Sequence, residues 1–474
     1  MRAGRSHVGW AWAGLGLAGS LAVALTSADI LHGKPVVWWF DPDLPARTLL
    51  FYGGIAALCA AWLGLGRTIG RPGGASVRRL LVVGALWCVP VVLAPALFSR
   101  DMYSYLADGA MLHLGLNPYD QSPAVLAHLH QTQLFDAVSP FWRHTTAPYG
   151  PAFVGIASLI SAVAGSNLVA GVLLLRLVEV VGVGLLAVFV PRLARVLGAD
   201  PARATWLAVI SPLVVLELVG AGHNDALMAG LLLAGVTLAL ERRPLLGIML
   251  CALAATVKLP AAAGVLFIAI AWAREEPQRA AKIVALSALV TAAVAFAVSA
   301  VTGLGLDWIA GSLSTPARVR IAITPSTALG YSAAAVLHAL DLSMSARGLE
   351  HAVGTIGLVL TTALGVALAY RVRRSNLVWY LGLLLLVSVL SGPAAWPWYA
   401  IWGLALVACC PEAQRWRWLP LVIVASSFLI RADGQVILHR QAAPLVLALY
   451  AIVAVIAWRR AMPPSMRGTP EFAR

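Results

Sequence analysis

Charge is what this sequence has least of. Asp, Glu, Lys and Arg make up 11% of its 474 residues while 60% are hydrophobic, and the mean hydropathy is +0.85. That balance excludes a water-soluble domain with an ordinary polar surface, and with it a soluble Rossmann or barrel enzyme. Segments of about ten residues alternating apolar and polar are missing too, which excludes a porin-like barrel; the long runs of Leu, Ala, Val and Gly require transmembrane helices instead. Cysteine is scarce. Cys59, Cys88, Cys251, Cys409 and Cys410 all sit in or beside apolar runs without metal-ligand spacing, so they read as packing residues rather than a disulfide framework or a zinc site. No Walker loop and no Gly-x-Gly-x-x-Gly followed by a ribose-binding acid is found, so nucleotide and dinucleotide chemistry lack support. No internal repeat, low-complexity tract or soluble domain is visible, which argues against an inverted-repeat transporter.

The charge that remains is unevenly placed. Thirty-four Lys and Arg against 20 Asp and Glu give a net charge of +14, and the basic residues cluster in short loops between apolar runs, as cytoplasmic loops do. No nucleic-acid partner is needed to explain them. The apolar runs predict fourteen spans, near 8–28, 48–66, 80–98, 168–190, 204–219, 226–240, 244–258, 260–273, 283–301, 351–370, 377–391, 398–411, 419–430 and 443–458. The first carries Arg2 and Arg5 before it and no small-residue cleavage site, so it reads as a retained span rather than a signal peptide. Threading the spans from a cytoplasmic N-terminus puts Arg67/Arg71/Arg78/Arg79, Arg192/Arg195/Arg203, Arg242/Arg243, Arg274/Arg279/Lys282, Arg371/Arg373/Arg374, Arg415/Arg417 and Arg459/Arg460 inside. Both termini are then cytoplasmic. This parity requires the apolar segments 151–165 and 327–340 to be short, tilted or re-entrant helices at the outer side. Two loops lie outside, a large one over 99–150, rich in Tyr and Pro and expected to fold onto the bundle, and a second over about 302–326.

The residues able to carry chemistry gather at that outer side. In Phe98-Ser-Arg-Asp-Met-Tyr-Ser-Tyr105 a carboxylate follows the end of a span, flanked by Arg100, Tyr103 and Tyr105. Asp101 is the candidate general base, able to accept a proton from a sugar hydroxyl; the alternative is that it only solvates the helix end or pairs with Arg100. Asp108, two turns along the same face, is a candidate second acidic wall. Gly220-Ala-Gly-His-Asn-Asp225, with Glu217 one turn earlier, places four polar groups around a glycine break. Asp225 suits the first turn of the next helix, and Glu217, His223, Asn224 and Asp225 together read as a hydrogen-bonding lip for a polyhydroxy substrate. Lys258, in Thr256-Val-Lys-Leu-Pro260 at the apex of a short helical hairpin, is costly in lipid and must either snorkel or face a partner, for which a lipid-linked phosphate is suited. Arg176 and Glu179, three apart in one span, are expected to neutralise each other. Tyr149, Trp396, Trp398 and Tyr399 are interfacial-belt residues or stacking surfaces for sugar rings, and Arg318, Arg320, Arg431 and Arg440 are further candidates for a leaving phosphate.

The order Ser-Arg-Asp-x-Tyr-Ser-Tyr, Gly-Leu-Asn-Pro-Tyr, Ala-Pro-Tyr-Gly-Pro, Gly-x-His-Asn-Asp-Ala-Leu-Met and Val-Lys-x-Pro resembles the actinobacterial polyprenyl-phosphomannose-dependent α-1,6-mannosyltransferases of the GT-C superfamily. The likeness runs from about residue 80 onward and is densest over 97–260; the last third matches mainly in hydropathy and at Trp396-Pro-Trp-Tyr399. It implies an all-α polytopic fold, a single transmembrane domain over 1–474 with a large first catalytic outer loop. It further implies a plasma-membrane enzyme that takes mannose from a polyprenyl phosphate at the outer face and extends the α-1,6-mannan of lipomannan-type glycolipids. Asp101 occupies the place of the base in that superfamily. Attack by the acceptor 6-hydroxyl on a β-linked mannosyl phosphate inverts the anomeric centre, and Lys258 or outer arginines would stabilise the departing phosphate. The partners implied are the lipid-linked donor, the mannan glycolipid acceptor and membrane lipids; no cofactor or metal is expected, because no clustered carboxylates have metal-ligand spacing. Spacing does not identify a sugar, so a transferase of arabinose or glucose stays open, as does a lipid-linked sugar flippase, although polar residues concentrated on one side favour the enzyme.

Overall fold

The computed structural model describes residues 3–35, 37, 39, 43–314, 324–341, 346–392, 395–429, 431–434 and 442–461. Their regular elements are helices, and each apolar run of the sequence supplies at least one. Local chemistry sets where the helices begin. Asp43, Ser76, Asn167, Asp200 and Thr324 each place a side-chain oxygen on an amide of the first turn, leading the helices Leu44–Gly66, Val77–Leu93, Leu168–Val196, Pro201–Ala208 and Pro325–Ala339. The segments expected to be short outer helices are short: Pro151–Ala164 and Pro325–Ala339.

Length separates these helices into two kinds. Among the described residues, Gly9–His32, Leu44–Gly66, Leu168–Val196, Pro277–Thr302 and His351–Arg371 are long and apolar enough to cross a membrane. A sixth crossing is counted if Val214–Gly220 and Asp225–Leu240 are taken as one broken span. Fourteen crossings are therefore not established by helix length. The expected run 204–219 splits into Pro201–Ala208 and a π-helical turn, Val214–Gly220, and the expected run 398–411 into a 3₁₀ turn, Pro397–Ala400, followed by Ile401–Val407. Wide π-helical turns are frequent at functional sites because they displace side chains from the regular register.

The broken span lies at the centre. Residues 204–230 are buried without exception, and a helix apolar on every face belongs inside a bundle rather than against lipid. Its two halves meet at 111° across residues 221–224, neither a straight crossing nor a closed hairpin, and backbone that leaves the helix at such depth is tolerable because protein surrounds it. The preceding segment is locked by Trp62 and Trp206, whose rings stack at 4.5 Å and whose indole N–H groups each donate to the other's carbonyl at 2.8 Å.

The large loop over 99–150 is folded onto this bundle, as expected. Its main helix, Asp101–His113, packs against Pro151–Ala164, with Tyr105, Tyr149 and Phe153 meeting edge to face at 4.8–5.9 Å. The Tyr119 hydroxyl donates to the Tyr149 carbonyl at 2.9 Å, and the Ala147 amide to the Pro118 carbonyl at 2.9 Å. The loop over about 302–326 contributes a helix, Trp308–Ser314, tied back by a Ser312 hydroxyl that donates to the Pro148 carbonyl at 2.9 Å.

Candidate active site

Two chain breaks and a proline-rich turn converge on Asp101. Phe98 takes a left-handed conformation, φ 55°, which costs a bulky residue on the order of 1–3 kcal/mol and persists only where packing imposes it. Its amide donates to the Ser27 hydroxyl at 3.3 Å and its ring meets Phe51 at 5.8 Å. The turn that results starts the next helix at Asp101, whose carboxylate sits in the first turn, where the helix dipole favours negative charge. Opposite it, Gly222 has φ +70°, and a Cβ there would lie 2.5 Å from the Met102 sulfur. Only glycine satisfies both the conformation and the contact, and His223 follows directly.

His223 bridges two carboxylates. Its Nδ1 lies 3.4 Å from Asp101 Oδ2 and its Nε2 lies 3.9 Å from Glu217 Oε2. The imidazole is stacked on the indole of Trp398, centroids 3.7 Å apart and planes 13° from parallel, and Trp398 is stacked in turn on Trp396 at 4.9 Å. Side-chain exposure falls along the row from 17% at Asp101 to 0% at His223 and 3% at Glu217. Asp101 is thus the outermost of three connected groups. Burial alone would push its carboxyl up, but the imidazole of His223 beside it, with Ser99 and Lys258, more than offsets this and holds it below its ordinary value.

A second cluster adjoins the first. Lys258 reaches both oxygens of Asp225, at 2.8 and 2.9 Å, and its ammonium sits 4.4 Å from the centroid of the Tyr399 ring and 5.4 Å from that of Trp402. The Trp402 indole N–H donates to Asp225 as well, and Asn224 Oδ1 lies 3.5 Å from the ammonium. The lysine is positioned by the proline-rich turn at the end of the loop over 99–150: the Gly150 amide donates to the Val257 carbonyl at 3.0 Å, and a Cβ on Gly150 would fall 2.1 Å from the Thr256 carbonyl oxygen. The glycine of Ala147-Pro-Tyr-Gly-Pro151 is therefore what lets that turn touch the turn bearing Lys258.

Several sequence expectations change here. Glu217, His223, Asn224 and Asp225 are not a lip open to substrate; they are buried and form the layer behind Asp101, because the break lies inside the bundle rather than at its rim. Lys258 neither snorkels nor stands free, since Asp225 already compensates its charge. Arg176 does not neutralise Glu179. Its guanidinium donates to the carbonyls of Val92, Ala94, Pro95, Val219 and Gly220, joining the end of Val77–Leu93 to the broken span, where carbonyls released from two helix ends outnumber any other acceptor. Among the described residues the Glu179 oxygens find no hydrogen-bond partner. Asp108 is enclosed rather than a wall of the cleft, and burial pushes its carboxyl well above the ordinary range. Tyr105 and Tyr149 are packing residues, 1% and 9% exposed, whereas Tyr103 and Trp396 remain half-buried. Tyr103 meets His32 Nε2 at 3.1 Å through its hydroxyl. Arg431 pairs with Asp433 at 3.0 Å; Arg318, Arg320 and Arg440 lie outside the described residues. Arg100 is half-buried, and its side chain makes no ion pair or hydrogen bond among the described residues. Trp402 and Ser99 were not anticipated; the helical spacing of Trp398, Tyr399 and Trp402 was the available signal for the first. Among the described residues no three of His, Cys, Asp and Glu converge as metal ligands.

The fold and site define a helical membrane protein whose polar core, an acid–His–acid row beside a Lys–Asp pair, is covered on one side by aromatic rings. A family model described as "Alpha-(1->6)-mannopyranosyltransferase, N-terminal domain" matches residues 7–274, and one described as "MptB C-terminal domain" matches residues 325–460. The chain belongs to this α-(1→6)-mannopyranosyltransferase family. It is 35% identical over 428 residues to α-(1→6)-mannopyranosyltransferase A of Mycobacterium tuberculosis, covering 87% of this chain and 81% of that protein. It is 27% identical over 398 residues to α-(1→6)-mannopyranosyltransferase B of Corynebacterium glutamicum, covering 77% and 65% respectively. No solved structure matches it. Trp398 and Trp402 fall in the second matched region and His223 and Asp225 in the first, so the site is assembled from both.

Proposed function

We propose that this protein transfers mannose from a polyprenyl-phosphate donor to the 6-hydroxyl of an α-1,6-mannan chain of lipomannan-type glycolipids, with inversion, at the extracytoplasmic face of the plasma membrane. The names of its relatives support mannosyl transfer and the α-1,6 linkage. The observation that carries the reading is Asp101, a carboxylate kept ionised yet reachable at the outermost point of a buried polar row. A base must combine both properties.

In the proposed reaction Asp101 takes the proton of the acceptor 6-hydroxyl as that oxygen attacks the anomeric carbon, and the bond to the phosphate oxygen breaks with its electron pair leaving on phosphate. The leaving group gains negative charge, which a nearby cation stabilises. Lys258 is occupied by Asp225, so Arg100, one residue from the base and without an acidic partner among the described residues, is the better candidate. Trp396, half-buried and stacked on Trp398, offers a ring to a sugar.

The test is transfer from radiolabelled polyprenyl-phosphate mannose to a synthetic α-1,6-mannobioside by purified protein in detergent, with polyprenyl-phosphate arabinose, polyprenyl-phosphate glucose and GDP-mannose as alternative donors. Turnover with the mannosyl lipid that falls by at least about 10²-fold in Asp101→Asn is expected, the scale of a lost general base. Preference for another donor overturns the donor assignment, and an active Asp101→Asn overturns the base.

A further inference from the structure

A carboxylate base in a cleft needs something to hold it, and what holds Asp101 is a histidine that touches no solvent. His223 is fully buried, its face covered by Trp398 and each of its ring nitrogens turned to a carboxylate. Neither contact is a closed hydrogen bond: among the described residues both nitrogens, and Glu217 Oε2, lack a partner at hydrogen-bonding geometry. Buried polar atoms left this way are rare and call for an account. Loose contacts of 3.4 and 3.9 Å among aligned groups are what an enzyme shows before substrate draws a catalytic row together.

Building on the reading of Asp101 as base, we infer that His223, backed by Glu217, is a positioning residue that grips Oδ2 of Asp101 and so leaves Oδ1 as the oxygen that removes the acceptor's proton. The row is the reverse of a serine hydrolase triad, with the carboxylate outermost and the imidazole behind it. Its geometry follows from the fold. The left-handed Gly222 turns His223 towards Asp101, the π-helical turn swings Glu217 to the far side of the ring, and Trp398 fixes the plane. Asp101 and Trp398 come from segments distant in sequence from the broken span that carries both Glu217 and His223, and Arg176 ties the stretch of chain before Asp101 to the end of the turn bearing Glu217 through its five carbonyl contacts.

No step beyond the transfer itself is added. The acceptor O–H bond breaks, its proton passes to Asp101 Oδ1, the glycosidic bond forms, and the phosphate leaves with the electron pair. His223 keeps Asp101 ionised until then. The other charged or titratable groups around the pair are Lys258 and Asp225, which compensate one another, the buried Tyr105 and Tyr149, and the half-buried Tyr399. None of these is paired with Asp101, so His223 is the largest of the influences, with Ser99 and Lys258 behind it, that oppose burial there.

The experiment compares kcat and KM as functions of pH for the parent, His223→Gln, Glu217→Gln and Asp101→Asn in detergent, using polyprenyl-phosphate mannose and α-1,6-mannobioside. His223→Gln is expected to lower kcat by about 10²-fold with both KM values within about threefold, and to move the acid limb of kcat to higher pH by about one unit. Glu217→Gln should move the limb the same way by less. If His223→Gln does not purify as a folded protein, Glu217→Gln decides by the same readout. An unmoved acid limb in the variants, or a loss confined to KM, overturns the positioning role. An active Asp101→Asn overturns the base instead, so the two failures are distinguishable.

Discussion

Replacing Lys258 by Met tests whether the lysine belongs to the fold or to the donor. The ammonium lies 2.8 Å from Asp225 Oδ2, which at an effective dielectric constant of 20 corresponds to a gross attraction of about 6 kcal/mol, 332/(20 × 2.8). Desolvation of both groups offsets much of that, so the pair contributes little against a neutral replacement of both. Removing one partner is different. Asp225 is fully buried and would keep only the Trp402 indole as a strong donor, a situation that costs about 3–5 kcal/mol. Equilibrium unfolding in mixed SDS–detergent micelles, followed by tryptophan fluorescence, should therefore place Lys258→Met lower by that amount, while Lys258→Met/Asp225→Asn recovers most of the loss. Donor binding to the double variant separates the two roles: a structural lysine leaves it near the parent value, whereas a phosphate ligand leaves it weakened at restored stability. A cost below about 1 kcal/mol for Lys258→Met, or a double variant as unstable as the sum of the singles, would refute the argument, because coupled groups do not add.

Gly222→Ala should lower stability by about 2–4 kcal/mol in the same unfolding assay, combining a left-handed backbone with a Cβ driven to 2.5 Å from the Met102 sulfur. Arg176→Met orphans carbonyls at two chain breaks, and its loss of about 3–5 kcal/mol should exceed that of Glu179→Gln. Because His223 and its neighbours hold the Asp101 carboxyl below its ordinary value, the stability that this contact contributes is present above the ordinary carboxylate pKa and lost as pH falls through the depressed one; initial rates should likewise hold at mildly acidic pH and fall only below it. The proposed orientation predicts that Phe141→Cys, on the outer loop, reacts with an impermeant maleimide in intact cells, and Arg242→Cys only after permeabilisation; both positions are more than 70% exposed. The reverse pattern would put the site on the inner face.

Helix content and the presence of a glycine break were legible in the chain, the helix ends only in part, since the runs 204–219 and 398–411 each divide in two. Apolar runs fix helices because backbone polar groups in lipid are satisfied within the segment, and the glycines of Gly220-Ala-Gly222 announce a turn through their conformational freedom. Asp101 was legible as well, as a carboxylate at the outer end of an apolar run. Partnership was not. That Lys258 pairs with Asp225, 33 residues away, rather than waiting for a phosphate, and that Arg176 turns to carbonyls some 80 residues earlier rather than to Glu179 one turn along, depends on which segments meet. Nor did any pattern announce that His223 lies flat against Trp398. Apolar periodicity is a property of each helix alone, whereas contacts between helices are chosen by packing shape over the whole bundle. The chain therefore determined which residues had to be paired, since charge in an apolar interior requires compensation, and the tertiary structure decided with whom, because only it brings the break at 221–224, the turn at Lys258 and the aromatic rings of 396–402 to one place.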